Sequence, residues 1–277
     1  MRSGEAAVRR PAFRSALAGG LLALPLAVFL LAFVVWPLAR LVALAFTGPG
    51  AGALARVLAA GRYRTALVNS VSLSAGAALV AVALALVPAW IFARESFSGR
   101  DLLRTAVSLP LTFSGVLVGF LVVVMLGRIG AVPKLLGILT GRELLSGSAY
   151  TVGGLFFAYL YFEIPRAVMT LEAAFRRFPA ELDAAGRSLG AGFFQRLWFV
   201  VLPYAAPALR STLAITFSAS MGSFGVALIL SRRFTVAPLE VYTELTAFLN
   251  DSVAGALCLV LALSTFLVDR GLSWRRA

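Results

Sequence analysis

The chain has 277 residues, 60% of them apolar and 13% charged, with mean hydropathy +0.92 and a formal net charge of +13. Soluble domains carry about twice that share of charge, so too few charged groups exist to cover a water-soluble globule, and the composition is that of a protein embedded in a lipid bilayer. The absence of histidine and the single Cys258 exclude zinc–histidine sites, Ser-His-Asp triads, histidine-ligated haem, internal disulfides and multi-cysteine metal sites.

The N-terminal arm places Arg2, Arg9, Arg10 and Arg14 ahead of a first apolar stretch over residues 17–46. A signal-peptide core is about 7–15 residues long and this stretch is roughly twice that, so it reads as an uncleaved anchor. Further stretches of the ~20 residues needed to cross a bilayer follow at 65–93, 105–126, 150–171, 204–230 and 252–268. The sequence therefore predicts an all-α integral membrane protein with six transmembrane helices and both termini on one side. With the N-terminus inside, 16 of the 25 Lys and Arg residues fall on the inner side and nine on the outer, which gives N-in/C-in by the positive-inside rule. The excess positive charge is then orientation charge on loops, and no nucleic acid is expected as a partner. The one lysine, Lys134, follows Gly130-Ala131-Val132-Pro133 without the Gly-Lys-Ser/Thr ending of a phosphate-binding loop.

Polar residues inside these stretches are few. In the second, Asn69, Ser70, Ser72 and Ser74 either line a path or bond neighbouring backbone. In the fourth, Glu163 and Arg166 share a helix face three residues apart. Ionisable groups close to lipid face protein or water, so they read as a local pair or as a substrate contact.

The longest connection, residues 172–203, is too long to lack structure of its own. Within it, Phe178, Leu182, Ala185 and Leu189 recur at helical spacing, Pro179, Glu181 and Asp183 suit a helix N-terminus, and Gly190 and Gly192 end the run. A short amphipathic helix of about ten residues follows from this pattern. It either lies in the headgroups or, given its small residues, admits a partner protein. The fifth stretch then carries Ser218, Ala219, Ser220, Met221, Gly222, Ser223, Phe224 and Gly225. Such residues allow close helix packing and kinks; a gating or pore-lining role stands beside ordinary packing for Ser218, Ser220, Gly222 and Ser223.

The long connection resembles the "EAA" loop of permease subunits of binding-protein-dependent ABC importers. That pattern has Glu-Ala-Ala, three residues, Gly, nine residues, an aliphatic residue, one position, then Leu-Pro. Here Gly190 is followed after nine residues by Val200, then Val201, Leu202 and Pro203. The Glu-Ala-Ala positions fall on Ala184, Ala185 and Gly186, with Asp183 displaced by one from the acid. Asn69-Ser70, Pro88-Ala89-Trp90 before Arg94, Leu109-Pro110, Gly127-Arg128 and Pro165 also look like this family, and the resemblance spans residues 65–268.

The resemblance implies an inner-membrane permease (MetI-like) domain over residues 65–270, preceded by an anchor helix and outer loop (1–64) and followed by a cytoplasmic tail (271–277). It implies a cytoplasmic coupling helix between spans four and five, built by Glu181, Asp183, Ala184, Ala185, Gly186, Leu189 and Gly190 with Leu202 and Pro203 beyond. Its partners would be a cytosolic ABC ATPase dimer, a second permease (same or sister chain) and an extracytoplasmic solute-binding protein, in a bacterial inner membrane, with no cofactor and no metal. Asn69, Ser70, Ser218, Ser220, Gly222 and Ser223 are the translocation-path candidates. Residues 221–225 and 238–242 look most like polyamine permeases, with iron, thiamine and sulfate relatives close behind. The alternative is a secondary transporter or channel working without an ATPase, which calls for inverted repeats and charged midplane residues. An integral-membrane enzyme would need a carboxylate or Ser/Lys centre.

Overall fold

The computed structural model describes residues 24–46, 52–142, 145–232 and 234–273, and every regular element among them is helical. Along the chain these are α1 (Leu24–Phe46), α2 (Gly52–Ala59), α3 (Gly61–Arg94), α4 (Arg100–Ser108), α5 (Gly115–Leu126) and α6 (Ala131–Thr140). Then follow α7 (Val152–Phe175), α8 (Ala180–Ser188), α9 (Phe193–Met221), α10 (Phe224–Leu230), α11 (Ala237–Thr246) and α12 (Asp251–Ser273). Five segments are long and apolar enough to cross a bilayer: α1, α3, α5 continued by α6, α9 and α12.

The expected stretches at 65–93 and 252–268 lie wholly within α3 and α12. The first coincides with α1 from Leu24 onward, and residues 17–23 lie outside the described residues. The fourth lies within α7 from Val152 onward, its first two residues belonging to a 3₁₀ turn and the Thr151 cap; α7 is a 24-residue helix of about 36 Å at 1.5 Å per residue. That helix is not among the five apolar segments, because Glu163, Arg166 and Glu172 dilute it. Protein shields it instead: Leu155, Ala158, Tyr159, Val168 and Leu171 are all buried.

Two expected spans require correction. Residues 105–126 do not form one helix. α4 ends at Ser108, a 3₁₀ turn covers Leu109–Thr112, and Ser114 caps α5, its hydroxyl accepting from the Leu117 N–H. Pro110 has no N–H to continue a helix, so the membrane helix starts at Gly115 and α4 is a surface helix. Residues 204–230 are likewise interrupted. α9 begins at Phe193, well before residue 204, and stops at Met221; α10 restarts at Phe224. Within α9 a π-turn over Leu197–Val201 precedes Pro203, and another over Leu31–Val35 precedes Pro37 in α1. A proline clashes with the carbonyl four residues back, and a widened turn relieves that clash.

α3 and α7 form the central helix pair, and α9 packs across both and against α12. α1 and α11 cover α12, while α10 packs on α5. The α5–α10 contact depends on Gly115 and Gly119, a small-xxx-small pattern. A Cβ on Gly119 would lie 2.8 Å from Ile229 Cβ, and one on Gly225 would lie 2.9 Å from the Val116 nitrogen.

Candidate functional site

The α8 end of the bundle is held by paired arginines. Proline 179 caps α8 in extended geometry, and Glu181 and Asp183 put acid in its first turn, where the helix dipole favours negative charge. The helix stops because Gly190 takes φ +77°, a left-handed conformation that glycine adopts without a Cβ clash. The Ala191 N–H donates to the Gly186 carbonyl and the Gly190 N–H to the Arg187 carbonyl, at 3.1 and 2.9 Å, closing a Schellman motif.

Asp183 is the inward anchor of α8. Its Oδ2 accepts from Arg187 Nε and Nη2 at 3.0 and 2.8 Å, and its Oδ1 accepts from Arg196 Nε at 2.9 Å. Arg196 also donates to the Ala191 carbonyl, so the turn after α8 is tied back to it. Burial alone would push the Asp183 carboxyl up, but the Arg187 and Arg196 hydrogen bonds outweigh it and hold its pKa below the ordinary carboxylate value. Gly186 makes room for this clamp: a Cβ there would lie 3.0 Å from Arg196 Cδ. The displaced acid and the glycine that replaces an alanine are thus one arrangement.

The sequence pattern places Phe178, Leu182, Ala185 and Leu189 on one face, and that face divides. Phe178 is buried, whereas Leu182 and Leu189 are 41% and 87% exposed and Ala184 and Ala185 are exposed. The buried side of α8 is Asp183 and Gly186. An apolar strip of Leu182, Ala185 and Leu189 therefore points away from the bundle.

Behind α8, a ring cluster joins it to the long helices. Trp90 of α3 meets Phe175 and Phe178 edge-on at 5.5 Å, and Phe178 meets Tyr204 of α9 at 5.0 Å. Arg94 lies over the Trp90 and Phe178 rings at 5.3 Å and donates to the Phe178 carbonyl. Glu172, buried near the end of α7, accepts from Arg104 of α4 at 3.0 Å and from Arg176 at 2.6 Å. Sequence reasoning missed Glu172 and Arg196. The only local signal was the i,i+4 spacing of Glu172 with Arg176 and Asp183 with Arg187.

The path candidates separate. Asn69 Nδ2 donates to the Thr235 carbonyl at 2.9 Å, and Ser70 Oγ accepts the Ala237 N–H at 2.8 Å. These two fasten α3 to the start of α11, and the structure gives them backbone-bonding work. Ser72 donates to the Asn69 carbonyl. Ser218, Ser220, Gly222 and Ser223 gather at the α9–α10 break, where Tyr159 of α7 donates to the Ser223 carbonyl at 3.3 Å. Backbone groups that a helix break frees from their ladder need such partners where they are buried. Ser220 faces Glu163, which is 3% exposed and pairs with Arg166 at 3.3 Å. Gly222 is exposed.

At the opposite end, Arg62 of α3 pairs with Glu240 of α11 at 2.6 Å and reaches Glu244, which also accepts from Tyr63 at 2.9 Å. Nearby, Arg128 and Arg232 line an open cavity of about 1170 Å³. Among the described residues no group of His, Cys, Asp and Glu side chains could hold a metal ion.

The sequence model described as "Binding-protein-dependent transport system inner membrane component" matches residues 85–272. The chain is 32% identical to a probable molybdenum ABC transporter permease protein of Haloferax volcanii, over 71% of this chain and 70% of that protein. It is 29% identical to a probable sulfate transport system permease protein of Chlorella vulgaris, over 74% and 77%. With the molybdenum transport system permease protein ModB of Escherichia coli K12 it shares 26% identity, over 75% and 92%. Its fold is similar to a chain of a bacterial alginate ABC transporter solved with an alginate-bound periplasmic protein, with TM-score 0.79, 20% identity and coverage of 94% and 93%. The polyamine expectation finds no support among these relatives.

Proposed function

We propose, for a chain that belongs to the family of binding-protein-dependent transport system inner membrane components, a coupling surface, a topology and a cargo class. The chain is an inner-membrane permease subunit of a type I ABC importer for a small solute. It is not an enzyme; ATP hydrolysis lies in a partner subunit. It works with a solute-binding protein and partner subunits.

The proposed coupling surface is α8. The observation that carries it is the exposed Leu182–Ala185–Leu189 strip on a helix whose other side is clamped through Asp183. A rigid apolar strip on a polar loop is what a docking groove on an ATPase subunit would take. Glu181, Asp183, Ala184, Ala185, Gly186, Leu189 and Gly190 build it, with Leu202 and Pro203 at its link to α9. The aromatic junction from Phe178 to Trp90 and Tyr204 would pass its displacement to α3 and α9. Two states of that junction, biased by ATP bound elsewhere, would alternate access.

The proposed topology is six spans, N-in/C-in, with α7 as the fourth. It puts α8 in the cytoplasm and α2 and α11 outside, with α6 completing the third span at its outer end, around a permease domain of residues 65–270 with an anchor at 1–64 and a tail at 271–277. The assembly is proposed as two permeases, same or sister chain, on an ATPase dimer in a bacterial inner membrane. The path is proposed at the α9–α10 break, lined by Ser218, Gly222 and Ser223, with Ser220 behind them.

The proposed cargo is a small oxyanion of the sulfate and molybdate type, on the names of the relatives. The test is reconstitution of the complex in vesicles with radiolabelled sulfate and molybdate. Uptake that requires both ATP and the binding protein is the expected result. Transport by the purified chain alone would make it a secondary transporter or channel and overturn the reading.

A further inference from the structure

We propose that the cavity between the end of α5, the segment before α7 and Arg232 is an outward-facing binding site for a small tetrahedral oxyanion, with Arg128 and Arg232 as its ligands. This rests on the oxyanion and topology readings above, and it assigns residues to the cargo outside the α9–α10 break.

Two guanidinium groups from distant parts of the chain enter one cavity of about 1170 Å³. Arg128 follows α5, and Arg232 follows α10. Both are placed rather than free. Arg232 lies over the Tyr150 ring with its guanidinium carbon 4.7 Å from the centroid. The Arg128 side chain runs along Gly147, where a Cβ would approach its Cγ to 3.4 Å, and Ser146 Oγ donates to the Arg128 carbonyl at 3.0 Å. Among the described residues no carboxylate forms a salt bridge with either arginine. This is the reverse of Arg94, Arg104, Arg176, Arg187 and Arg196, each of which is bonded to a carboxylate or carbonyl.

The chemistry selects the ligand. A guanidinium offers paired N–H donors that match two oxygens of a tetrahedral oxyanion, and two of them balance a divalent one. The hydroxyls around the cavity are already donating: Ser148 to the Leu145 carbonyl and Thr151 to the Ser148 carbonyl. Recognition is therefore by charge and guanidinium geometry, with little discrimination between oxyanions of one size. Both arginines are exposed, so binding is weak and screened by salt. That suits a place where cargo dwells briefly after leaving the binding protein, and it disfavours a polycation.

The test uses the purified complex of permease and ATPase in lipid nanodiscs without the binding protein. Binding of radiolabelled sulfate and molybdate is measured at low and physiological salt. Saturable binding, weakened by salt, is expected, with affinity falling about ten-fold or more in Arg128→Gln and Arg232→Gln, and largely kept in Arg232→Lys. Should the glutamine variants fail to assemble, the unaltered complex still decides. Molybdate must shield Arg128 and Arg232, and not Arg177, from phenylglyoxal. No saturable binding, no shielding, or equal binding by the variants overturns the site. Loss of binding-protein docking with unchanged anion binding also overturns it and assigns the arginines to docking. If ATP-driven uptake persists while no anion binds here, the site fails and the importer reading stands; without ATP-driven uptake of any oxyanion, the importer's cargo reading fails as well.

Discussion

The two ends of the bundle use arginine in opposite ways. At the α8 end each buried acid is held by two arginines, Glu172 by Arg104 and Arg176, and Asp183 by Arg187 and Arg196. At the other end one arginine, Arg62, serves two buried acids, Glu240 and Glu244, while Arg128 and Arg232 face a cavity. In the first region positive charge fixes a polar loop so that an apolar strip stays outward. In the second it remains available to an anion. Similar residues in one chain thus make a rigid shoulder in one place and a receptive mouth in the other.

Breaking the shoulder has the largest expected effect. Asp183→Ala leaves Arg196 without its carboxylate; removing one partner of a buried pair costs about 3–5 kcal/mol, and less where, as here, one arginine is half-exposed. ATP-driven uptake should fall by more than about ten-fold, the equivalent of ~1.4 kcal/mol or more in coupling, with the permease still inserted. Wild-type uptake would remove the clamp from the account. Gly190→Glu comes next. A non-glycine residue in the left-handed region costs roughly 1–2 kcal/mol and the side chain stands at the strip's edge, so uptake should drop about ten-fold. Gly190→Asn, which tolerates that φ, should restore most of it.

At the opposite end, Arg62→Gln leaves Glu240 and Glu244 buried without their cation. The expected outcome is a lower thermal midpoint of the complex and several-fold slower uptake, with ATPase association unchanged in pull-down. Reduced ATPase association would erase the separation between the two ends. A smaller effect belongs to Ser70→Ala, which strands the Ala237 N–H and costs about 1–3 kcal/mol if that group stays dry. It should loosen α11 in hydrogen exchange and leave uptake within about two-fold of wild type, less than 0.5 kcal/mol.

The smallest expected change is with pH. Asp183 has its pKa lowered by Arg187 and Arg196, so its contribution is complete above the ordinary carboxylate value of about 3.9 and is lost only as pH falls through the lower folded value. Association with the ATPase subunit should therefore be flat from pH 7.5 to about 5.5, well above that range. A fall across this interval would show that another group governs the α8 surface.

Much of the scaffold was legible in the sequence because long apolar runs with few charges have one solution in lipid. Residues 65–93 and 252–268 fall within α3 and α12, and the helix ending at Gly190 is where the pattern put it. The two broken spans were not legible. Hydropathy averages over a window, and the breaks at residues 109–114 and 222–223 depend on Pro110, the Ser114 cap and a Tyr159 hydrogen bond from another helix. The clamp was half legible. Arg187 is one turn from Asp183, but Arg196 reaches it only after the chain turns at Gly190. The roles of Asn69 and Ser70 were hidden for the same reason, since their partners lie more than 160 residues away.

The most direct test of α8 as the coupling surface is site-specific cross-linking in the assembled complex. With Cys258→Ser removing the native thiol, Ala185→Cys and Leu189→Cys would be treated with a short bifunctional reagent, alongside Asp101→Cys on α4. Cross-links from both α8 positions to the ATPase subunit, changing in yield when ATP is added, are the predicted result. ATP-driven uptake by a complex that cross-links at Asp101→Cys and at neither α8 position would contradict the account.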